Sequence, residues 1–243
     1  MVIMLNTLKN KKLYSRLWRT NKLKSHTFWA SWKKYKELIP KKNPKLLDIG
    51  CGIRPRVPVK GSYFLDLSKS ALKIIEEHGG ICTCGDVTSL PYEDQFFDLV
   101  NASELLEHID EDERAISEIA RVLKEEGYFS FSVPLQMKYW TRFDEKVNHV
   151  RRYEGEELYD KVKGNGFEVK SFFINNPSKS PLYKNFAALI LSIFPHLGLF
   201  VEEHITLPIS ERIQHTRKQE WHEDGFVERL KDASGVIVIC QKV

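Results

Sequence analysis

The sequence lacks any apolar stretch long enough to cross a lipid bilayer. Its most apolar segment, residues 186–201, is interrupted by Pro195 and His196 and has only 16 positions, whereas a spanning helix needs about 20. It also lacks a secretory signal, because basic residues persist through residues 1–45 and no long apolar core follows them. We therefore expect a cytoplasmic protein. Peripheral contact with a membrane stays open, because residues 186–201 and the basic N-terminus both favour it.

Cysteine is scarce, and the spacing of the four cysteines matches no zinc site. Cys82 and Cys84 fall on one face of a predicted strand, and Cys51 lies inside a glycine loop. At 243 residues the chain can bury one sizeable core. We therefore expect reduced, packed thiols and a single α/β domain with additions.

Acidic residues are nearly missing from residues 1–45, which contain 13 Lys or Arg and one acid, Glu37. This part carries a formal charge of +12, so the other 198 residues carry −8 of the total of +4. A basic arm of this kind, assigned to residues 1–25, attracts phosphate groups of RNA, of an anionic membrane or of a phosphorylated substrate. A solvated lysine-rich tail is the alternative interpretation. Behind the arm, apolar residues spaced by three and four predict a helix over residues 26–39.

A glycine-rich turn follows the first predicted strand. Residues 45–49 form a short apolar run that contains Asp48 and is closed by Gly50, and Gly52 follows two positions later. Glycines let backbone amides approach a ligand closely, and Asp48 offers a carboxylate to a cationic group. Strand, acidic residue and G-x-G together are typical of a nucleotide-binding crevice, with an ordinary tight turn as the competing interpretation.

Further predicted strands also end in polar residues. Residues 63–66 end in Asp66, residues 81–85 are followed by Asp86, and residues 97–103 lead into the sequence Glu-Leu-Leu-Glu-His. Because the carboxyl ends of parallel strands meet at one edge, we expect these side chains at the ligand-binding edge of an open α/β sheet. Three further helices are predicted: one at 69–77, one that begins at the capping-box spacing of Asp110 and Glu113, and one at 155–163. The remaining strands are predicted at 128–133, 167–174 and 236–243, and a loop is predicted at 134–148.

In order and spacing, four segments resemble the class I S-adenosylmethionine-dependent methyltransferases, especially their broad small-substrate group. The segments are LLDIGCG, FLDLS, GDVTSLPYEDQFFDLVNASELLEHI and RVLKEEGYFSFSVP, and a looser match, NHVRRYEGEELYDKVKGNGFEV, continues to Val169. The resemblance implies a Rossmann-like, seven-stranded, mostly parallel α/β sheet with the last strand antiparallel and helices on both faces. It also implies S-adenosylmethionine as the cofactor, bound across the middle of the sheet, and S-adenosylhomocysteine as the product.

The match departs from the family pattern in the glycine loop. Family members usually carry a third glycine where this chain has Arg54. Only ten residues separate Gly52 from Tyr63, and two of them are prolines. We therefore expect the first crossover helix to be shortened or replaced by a loop. These departures bear on the affinity for the cofactor rather than on the fold.

The resemblance also implies which residues surround the cofactor. Asp48 and the backbone of the glycine loop face the amino-acid end, Asp66 the ribose hydroxyls, and Asp86 the adenine amino group. Val87 meets the adenine ring through its backbone amide, and Ser103 lies near the methionine tail. The full implied set is Asp48, Gly50, Cys51, Gly52, Asp66, Leu67, Asp86, Val87 and Ser103.

Two histidines are candidates for proton transfer. If the acceptor is a hydroxyl, its proton must leave during methyl transfer, and His108 or His149 could accept it. With Glu104 and Glu107, the same histidines could alternatively form a four-ligand divalent metal site. This E-x-x-E-H pattern is similar to that of metal-assisted small-RNA ribose methyltransferases and some quinone-pathway methyltransferases, but it is also common in members without a metal. We therefore expect no bound metal.

The predicted organisation is a basic arm over residues 1–25 and one methyltransferase domain over residues 26–243. Within the domain, residues 175–232 form an insertion that acts either as a lid over the active site or as a dimer interface. The predicted activity is in-line methyl transfer to the oxygen, nitrogen or carboxyl group of a small or lipid-linked acceptor. The alternatives are an RNA methyltransferase that uses the basic arm and a non-catalytic module that has lost cofactor binding.

Overall fold

Seven strands form one sheet in the computed structural model, which describes residues 22–175 and 220–243. The strands are β1 Leu46–Ile49, β2 Tyr63–Asp66, β3 Ile81–Cys84, β4 Phe97–Ser103, β5 Leu123–Pro134, β6 Phe167–Ile174 and β7 Gly235–Lys242. Their order across the sheet is β3-β2-β1-β4-β5-β7-β6; β7 is antiparallel to both β5 and β6, and the other neighbouring pairs are parallel. The predicted seven-stranded, Rossmann-like sheet with an antiparallel last strand is confirmed.

Helices cover both faces of the sheet. Leu46 packs in one core cluster with side chains of the first two helices, whereas Leu47 and Ile49 pack in a second cluster with later helices. Successive side chains of a strand point to opposite faces, so the two clusters lie on opposite sides of the sheet. The helices are α1 Ser31–Leu38, α2 Lys69–Glu77, α3 Asp112–Val122, α4 Arg142–Lys146, α5 Gly155–Gly164 and α6 Phe226–Leu230, and 3-10 turns span His26–Phe28, Leu106–His108 and Met137–Tyr139.

The strand predictions agree closely with the structure. The predicted boundaries of β2, β4 and β6 are confirmed residue for residue, and β1, β3 and β7 differ at their ends by one residue. β5 begins at Leu123, five residues earlier than predicted, because Leu123 pairs with Phe97 across a register shift in the β4–β5 ladder. The segment between β1 and β2 is a loop without a helix, as its two prolines predicted.

The predicted helix over residues 26–39 is wrong in its extent. The chain forms a 3-10 turn, becomes extended at Trp29 with φ −94° and ψ 119°, and begins α1 only at Ser31. In this conformation the ring of Trp29 stacks on Arg56, whose guanidinium carbon lies 3.3 Å from the ring centroid. A tertiary contact, which helical periodicity does not report, lies at the point where the helix is broken.

The predicted start of α3 and the predicted loop after β5 are also wrong. Asp110 and Glu113 form no capping box, because α3 begins at Asp112 and its cap makes no side-chain hydrogen bond. The capping box occurs instead in the loop predicted after β5, where Thr141 and Asp144 begin α4. A short helix with reciprocal caps therefore replaces an irregular connection.

Some expectations concern parts of the chain that are not described. Of the basic arm, residues 1–25, the description covers only residues 22–25, and most of the insertion, including residues 186–201, lies outside the described residues. The choice between lid and interface for residues 175–232 therefore stays a prediction. In the described part of the chain, no helix is long and apolar enough to span a membrane.

Tyr35 attaches α1 to the middle of the sheet. Its hydroxyl accepts a hydrogen bond from Ser130 Oγ at 2.7 Å and donates one to Asn101 Oδ1 at 3.4 Å. All three side chains are buried. Because Asn101 is in β4 and Ser130 in β5, this chain of hydrogen bonds positions α1 against two central strands.

Candidate functional site

The glycine loop after β1 is held by backbone hydrogen bonds. Gly50 has φ +68° and its amide donates to the Leu65 carbonyl at 2.8 Å, while Gly52 has φ +56° and its amide donates to Asp66 Oδ2 at 3.0 Å. A Cβ atom on Gly50 would lie 2.7 Å from Leu105 Cδ1. Position 50 therefore requires glycine both for its left-handed backbone and for its close packing.

Asp48 lies in the buried core of the sheet, and both of its oxygens have partners. Oδ1 accepts a hydrogen bond from Asn101 Nδ2 and Oδ2 accepts one from the Arg56 amide, each at 2.6 Å. The side chain is fully buried, and burial raises the pKa of the carboxyl from 3.8 to about 6. Asp48 thus joins β1 to β4 and to the glycine loop, and its implied contact with the cofactor stays a prediction.

Asp66 at the end of β2 fixes the opposite side of the loop. Its Oδ2 accepts the Gly52 amide, and its Oδ1 accepts the Ser68 amide at 2.7 Å. Burial raises the pKa of the Asp66 carboxyl. Leu67, the next residue, is half-buried, and the Cys84 thiol lies 3.9 Å from its carbonyl oxygen. The carboxylate therefore stands at the carboxyl edge, directly beside the glycine loop.

Asp86 forms a turn beyond the end of β3. Its Oδ1 accepts hydrogen bonds from the Thr88 amide at 2.9 Å and from Thr88 Oγ1 at 2.8 Å. Val87 between them has a buried side chain. Because β2 and β3 are neighbours, Asp66 and Asp86 follow adjacent strands along one edge of the sheet, as the sequence predicted.

β4 ends in a strained, polar connection. Ser103 Oγ donates to Asn101 Oδ1 at 3.0 Å, and Glu104 follows with φ +53°. Glu104 Oε1 accepts a hydrogen bond from Ser132 Oγ at 2.6 Å. In the glycine loop, burial holds the pKa of the Cys51 thiol well above its ordinary value, so the thiol stays protonated, and its Sγ lies 3.6 Å from the Gly52 carbonyl oxygen.

Cysteine packing differs in part from the prediction. All four cysteines are free thiols, as predicted. Cys240 is buried, and Cys51 and Cys82 are half-buried. Cys84, however, is exposed, because β3 is the edge strand of the sheet. The expectation that all the thiols are packed is therefore wrong for this residue.

Arg56 is a candidate site residue that the sequence analysis did not identify. Its guanidinium stacks on Trp29 and makes no ion pair with any other described residue. Burial lowers its pKa, while the nearby groups of Tyr35, Glu104 and Asp48 act to raise it. No local pattern marks Arg56, because its position depends on a hydrogen bond between its amide and a carboxylate eight residues earlier.

Three ionisable side chains come together beyond the end of β4. Glu107 is fully buried, and its Oε1 lies 3.8 Å from His149 Nε2. The rings of His108 and His149 have centroids 4.7 Å apart and are inclined by 78°. Of the four residues named as an alternative metal site, the structure brings these three together, whereas Glu104 is turned towards Ser132.

Asp144 orients the second histidine of this group. His149 Nδ1 lies 3.0 Å from Asp144 Oδ1, and Arg152 binds the same carboxylate through Nε and Nη2 at 2.8 and 2.7 Å. Although burial alone would raise it, hydrogen bonds from His149 and Arg152 hold the pKa of Asp144 well below its ordinary value. Because a carboxylate only accepts, Nδ1 of His149 carries a proton, and in the neutral ring Nε2 carries the lone pair.

The other two members of the group have shifted pKa values. Burial, and secondly the neighbouring His149, lower the pKa of His108 to about 3, so this imidazole is neutral at physiological pH. Burial, and secondly the charge of Glu104, raise the pKa of Glu107 well above its ordinary value. Burial therefore favours the neutral forms of Glu107 and His108 at this edge of the sheet.

Comparisons with known proteins identify the domain and the fold. Residues 47–131 match the family model described as a methyltransferase domain. No curated protein matches the chain.

Solved structures share the fold at low identity. A Thermotoga maritima protein described as a "SAM-dependent methyltransferase, possible histamine N-methyltransferase" is 20% identical over 98% of this chain and 96% of its own, with a TM-score of 0.59. The [4+2]-cyclase SpnF is 22% identical over 87% of this chain and 79% of its own, with a TM-score of 0.55. A protein described as a methyltransferase, in complex with the Haloferax volcanii Trm112 methyltransferase activator, is 17% identical over 88% and 89%, with a TM-score of 0.54.

Replacing Gly50 by alanine tests the packing of the glycine loop. We expect Gly50→Ala to lower the free energy of unfolding by about 1–2 kcal/mol, because alanine is strained in the left-handed region, and its Cβ would additionally press on Leu105. Gly164→Ala is the matched control, since a Cβ there has no heavy atom within 4 Å. Urea unfolding measures both variants, and equal stability changes would contradict the packing constraint at Gly50.

The buried carboxyl of Asp48 predicts a pH dependence. Its pKa is about 6 in the folded protein against 3.8 for the ordinary value, so between these pH values the folded state holds a proton that the unfolded state has lost. The free energy of unfolding of the wild type relative to Asp48→Asn should therefore fall as pH rises from 4 to 6, by up to roughly 3 kcal/mol. Urea unfolding at several pH values measures this difference, and a difference that is flat with pH would contradict the shift.

Proposed function

We propose that this chain, a class I S-adenosylmethionine-dependent methyltransferase by its domain and its fold, methylates a hydroxyl group of a small or lipid-linked acceptor. The observation that carries the choice of a hydroxyl is the pair formed by Asp144 and His149. A hydroxyl must lose its proton during methyl transfer, whereas a carboxylate has none to lose and a neutral amine can lose it afterwards. A histidine whose tautomer is fixed by a buried carboxylate is suited to that task.

The methyl donor, S-adenosylmethionine, supplies an electrophilic methyl group on a sulfonium. In the proposed reaction the acceptor oxygen forms a bond to the methyl carbon while the carbon–sulfur bond breaks. The sulfur keeps the electron pair of that bond, and the product is S-adenosylhomocysteine. The hydroxyl proton passes to Nε2 of His149. His108 is the weaker proton acceptor, because its pKa is lowered to about 3, and we assign it to binding and shaping the site.

The cofactor is proposed to lie along the carboxyl ends of β1 to β4. Backbone amides of the glycine loop and the two edge carboxylates, Asp66 and Asp86, are held by hydrogen bonds before any ligand arrives. Such pre-ordered groups lose little conformational entropy on binding. The assignment is the amino-acid end to Asp48, Gly50, Cys51, Gly52 and Ser103, the ribose to Asp66 and Leu67, and the adenine to Asp86 and Val87.

Arg56 adds a contact to the amino-acid end. Its guanidinium is stacked, partly buried and without an ion pair in the described part of the chain. A buried cation of this kind favours an anionic ligand, and guanidinium groups bind carboxylates in a bidentate manner. The carboxylate of the cofactor's amino-acid end is the nearest chemical match at this edge.

The two alternatives make different predictions for cofactor and RNA. The RNA alternative depends on the basic arm, which lies mainly outside the described residues, and no described contact favours it. The non-catalytic alternative is kept because a [4+2]-cyclase shares the fold, and a fold by itself does not determine a reaction. Measured binding of the cofactor product separates this alternative from the proposed enzyme.

Calorimetric titration with two nucleosides tests the cofactor site. S-adenosylhomocysteine contains the amino-acid end, whereas methylthioadenosine lacks it. We expect Asp66→Ala to weaken both by about 10- to 100-fold, as a lost charged hydrogen bond predicts. Arg56→Ala should weaken only S-adenosylhomocysteine by a similar factor.

Glu168 in β6, the outermost strand at the far side of the sheet from β3, provides the control for these variants. Glu168→Ala removes an exposed acid near the start of β6, and it should leave both affinities unchanged. If the wild type binds neither nucleoside, the non-catalytic module is favoured and the proposed function fails. Equal losses for both ligands in Arg56→Ala would place Arg56 outside the amino-acid end.

The acceptor class is tested by turnover. In a screen of hydroxyl acceptors followed by S-adenosylhomocysteine formation, His149→Gln should lower kcat by about 10²- to 10⁴-fold, the range for a lost general base. The affinity for S-adenosylhomocysteine should stay within twofold of the wild type. An unchanged kcat would remove His149 from the reaction, and productive acceptors that are all amines would overturn the hydroxyl assignment.

A further inference from the structure

Glu107 has surroundings that an isolated carboxylate does not tolerate. Its side chain is 0% exposed, and neither carboxylate oxygen has a hydrogen-bond partner within the described part of the chain. Buried acidic groups in proteins are normally hydrogen-bonded, paired with a cation or bound to a metal. Glu107 lies in the 3-10 turn that directly follows β4, so this unpartnered group stands at the same edge as the proposed cofactor site.

The neighbours of Glu107 supply a set of metal-ligating atoms. One atom each from Glu107, His108 and His149 lie within 4.8 Å of one another, and Glu107 Oε1 is 3.8 Å from His149 Nε2. Ligands at about 2.1 Å from a tetrahedral ion lie roughly 3.4 Å apart. Small side-chain movements would therefore bring all three atoms onto one ion.

Hydrogen bonds at the Nδ1 atoms orient both imidazoles for binding a metal through Nε2. His149 Nδ1 faces the Asp144 carboxylate at 3.0 Å, and His108 Nδ1 faces the Asn148 carbonyl at 3.3 Å. Both partners accept, so in the neutral rings both Nδ1 atoms carry the proton and both Nε2 atoms carry a lone pair. A carboxylate or a carbonyl behind a histidine is the usual support of a metal-binding imidazole.

We propose that Glu107, His108 and His149 bind one divalent transition-metal ion of the zinc or cobalt class. Two imidazole nitrogens and one carboxylate match the ligand preference of these ions, whereas magnesium prefers a shell of oxygens. Three protein ligands leave a coordination position open, as in catalytic rather than structural zinc sites. Glu104 is not part of the set, because its carboxylate binds Ser132.

The metal has a defined consequence for methyl transfer, and this step alone rests on the proposed function. An acceptor hydroxyl bound at the open position would have its pKa lowered by the ion and would release its proton to solvent. The oxygen would then attack the methyl carbon as the carbon–sulfur bond breaks. With the ion bound, His149 would be a ligand and could not accept the proton, so the ion would activate the hydroxyl in its place. The role of His149 as the proton acceptor applies to the metal-free protein.

Cobalt(II) and zinc titrations test the site without any substrate. The full-length protein is first dialysed against a chelator and then titrated with cobalt(II), whose visible absorption reports ligation by nitrogen and oxygen, and with zinc by calorimetry. We expect one equivalent to bind the wild type. Glu107→Gln and His149→Gln should each weaken binding by at least 100-fold.

Two control variants test whether the site is limited to these three ligands. Glu104→Gln should bind cobalt(II) with an affinity within tenfold of the wild type. If this variant lost cobalt(II) binding, the three-ligand set would be overturned. His78→Gln, an exposed histidine at the end of α2, should bind like the wild type. No cobalt(II) or zinc binding by the wild type, or unchanged binding by Glu107→Gln, would overturn the proposal.

Thermal unfolding distinguishes a variant that has lost a metal ligand from a variant that fails to fold. In chelator, Glu107→Gln should melt close to the temperature of the wild type, because the amide has the size of the carboxyl group and brings no charge into the buried position. Added zinc should raise the melting temperature of the wild type but not that of the variant. Binding of S-adenosylhomocysteine is measured in the same samples, so failure of the metal site and failure of the proposed function give different results.

Discussion

The buried carboxylate of Asp48 is the interaction on which the carboxyl edge of the sheet depends. It is enclosed in β1 and is held by two donors, Asn101 from β4 and the Arg56 amide from the glycine loop. Burial raises the pKa of this carboxyl by more than the two hydrogen bonds lower it, so the pKa is about 6 instead of 3.8. Without them the group would be an unpaired buried charge, so the loop conformation and the spacing of β1 and β4 are fixed together.

Placement of the N-terminal segment follows from the same contact. The guanidinium of Arg56, whose backbone is held by Asp48, stacks on Trp29, and this contact lies where the predicted helix is interrupted. Asn101 extends the network to Tyr35 of α1. The first helix, the glycine loop and two central strands are therefore connected through a single acidic side chain, and a change at Asp48 would act on all of them.

The sequence analysis predicted the sheet well and the side-chain partners poorly. Short buried strands closed by glycine or an acid carry their signal locally, so their boundaries could be derived, and the residues of the carboxyl edge followed from their order. The partners of Asp48 lie 8 and 53 residues away, and no local pattern encodes them. Likewise, Asp144 was predicted to lie in a loop, so its support of His149 could not be derived.

The two halves of the site are built on different physical principles. The proposed cofactor half consists of backbone amides and acids whose hydrogen bonds are satisfied inside the protein, so folding alone accounts for these contacts. The other half places Glu107 and two histidines in a buried position where folding alone gains nothing from them. Because proteins of this fold include a [4+2]-cyclase, the sheet does not select the reaction. In the proposed enzyme, the selection would therefore depend on the buried group beyond β4.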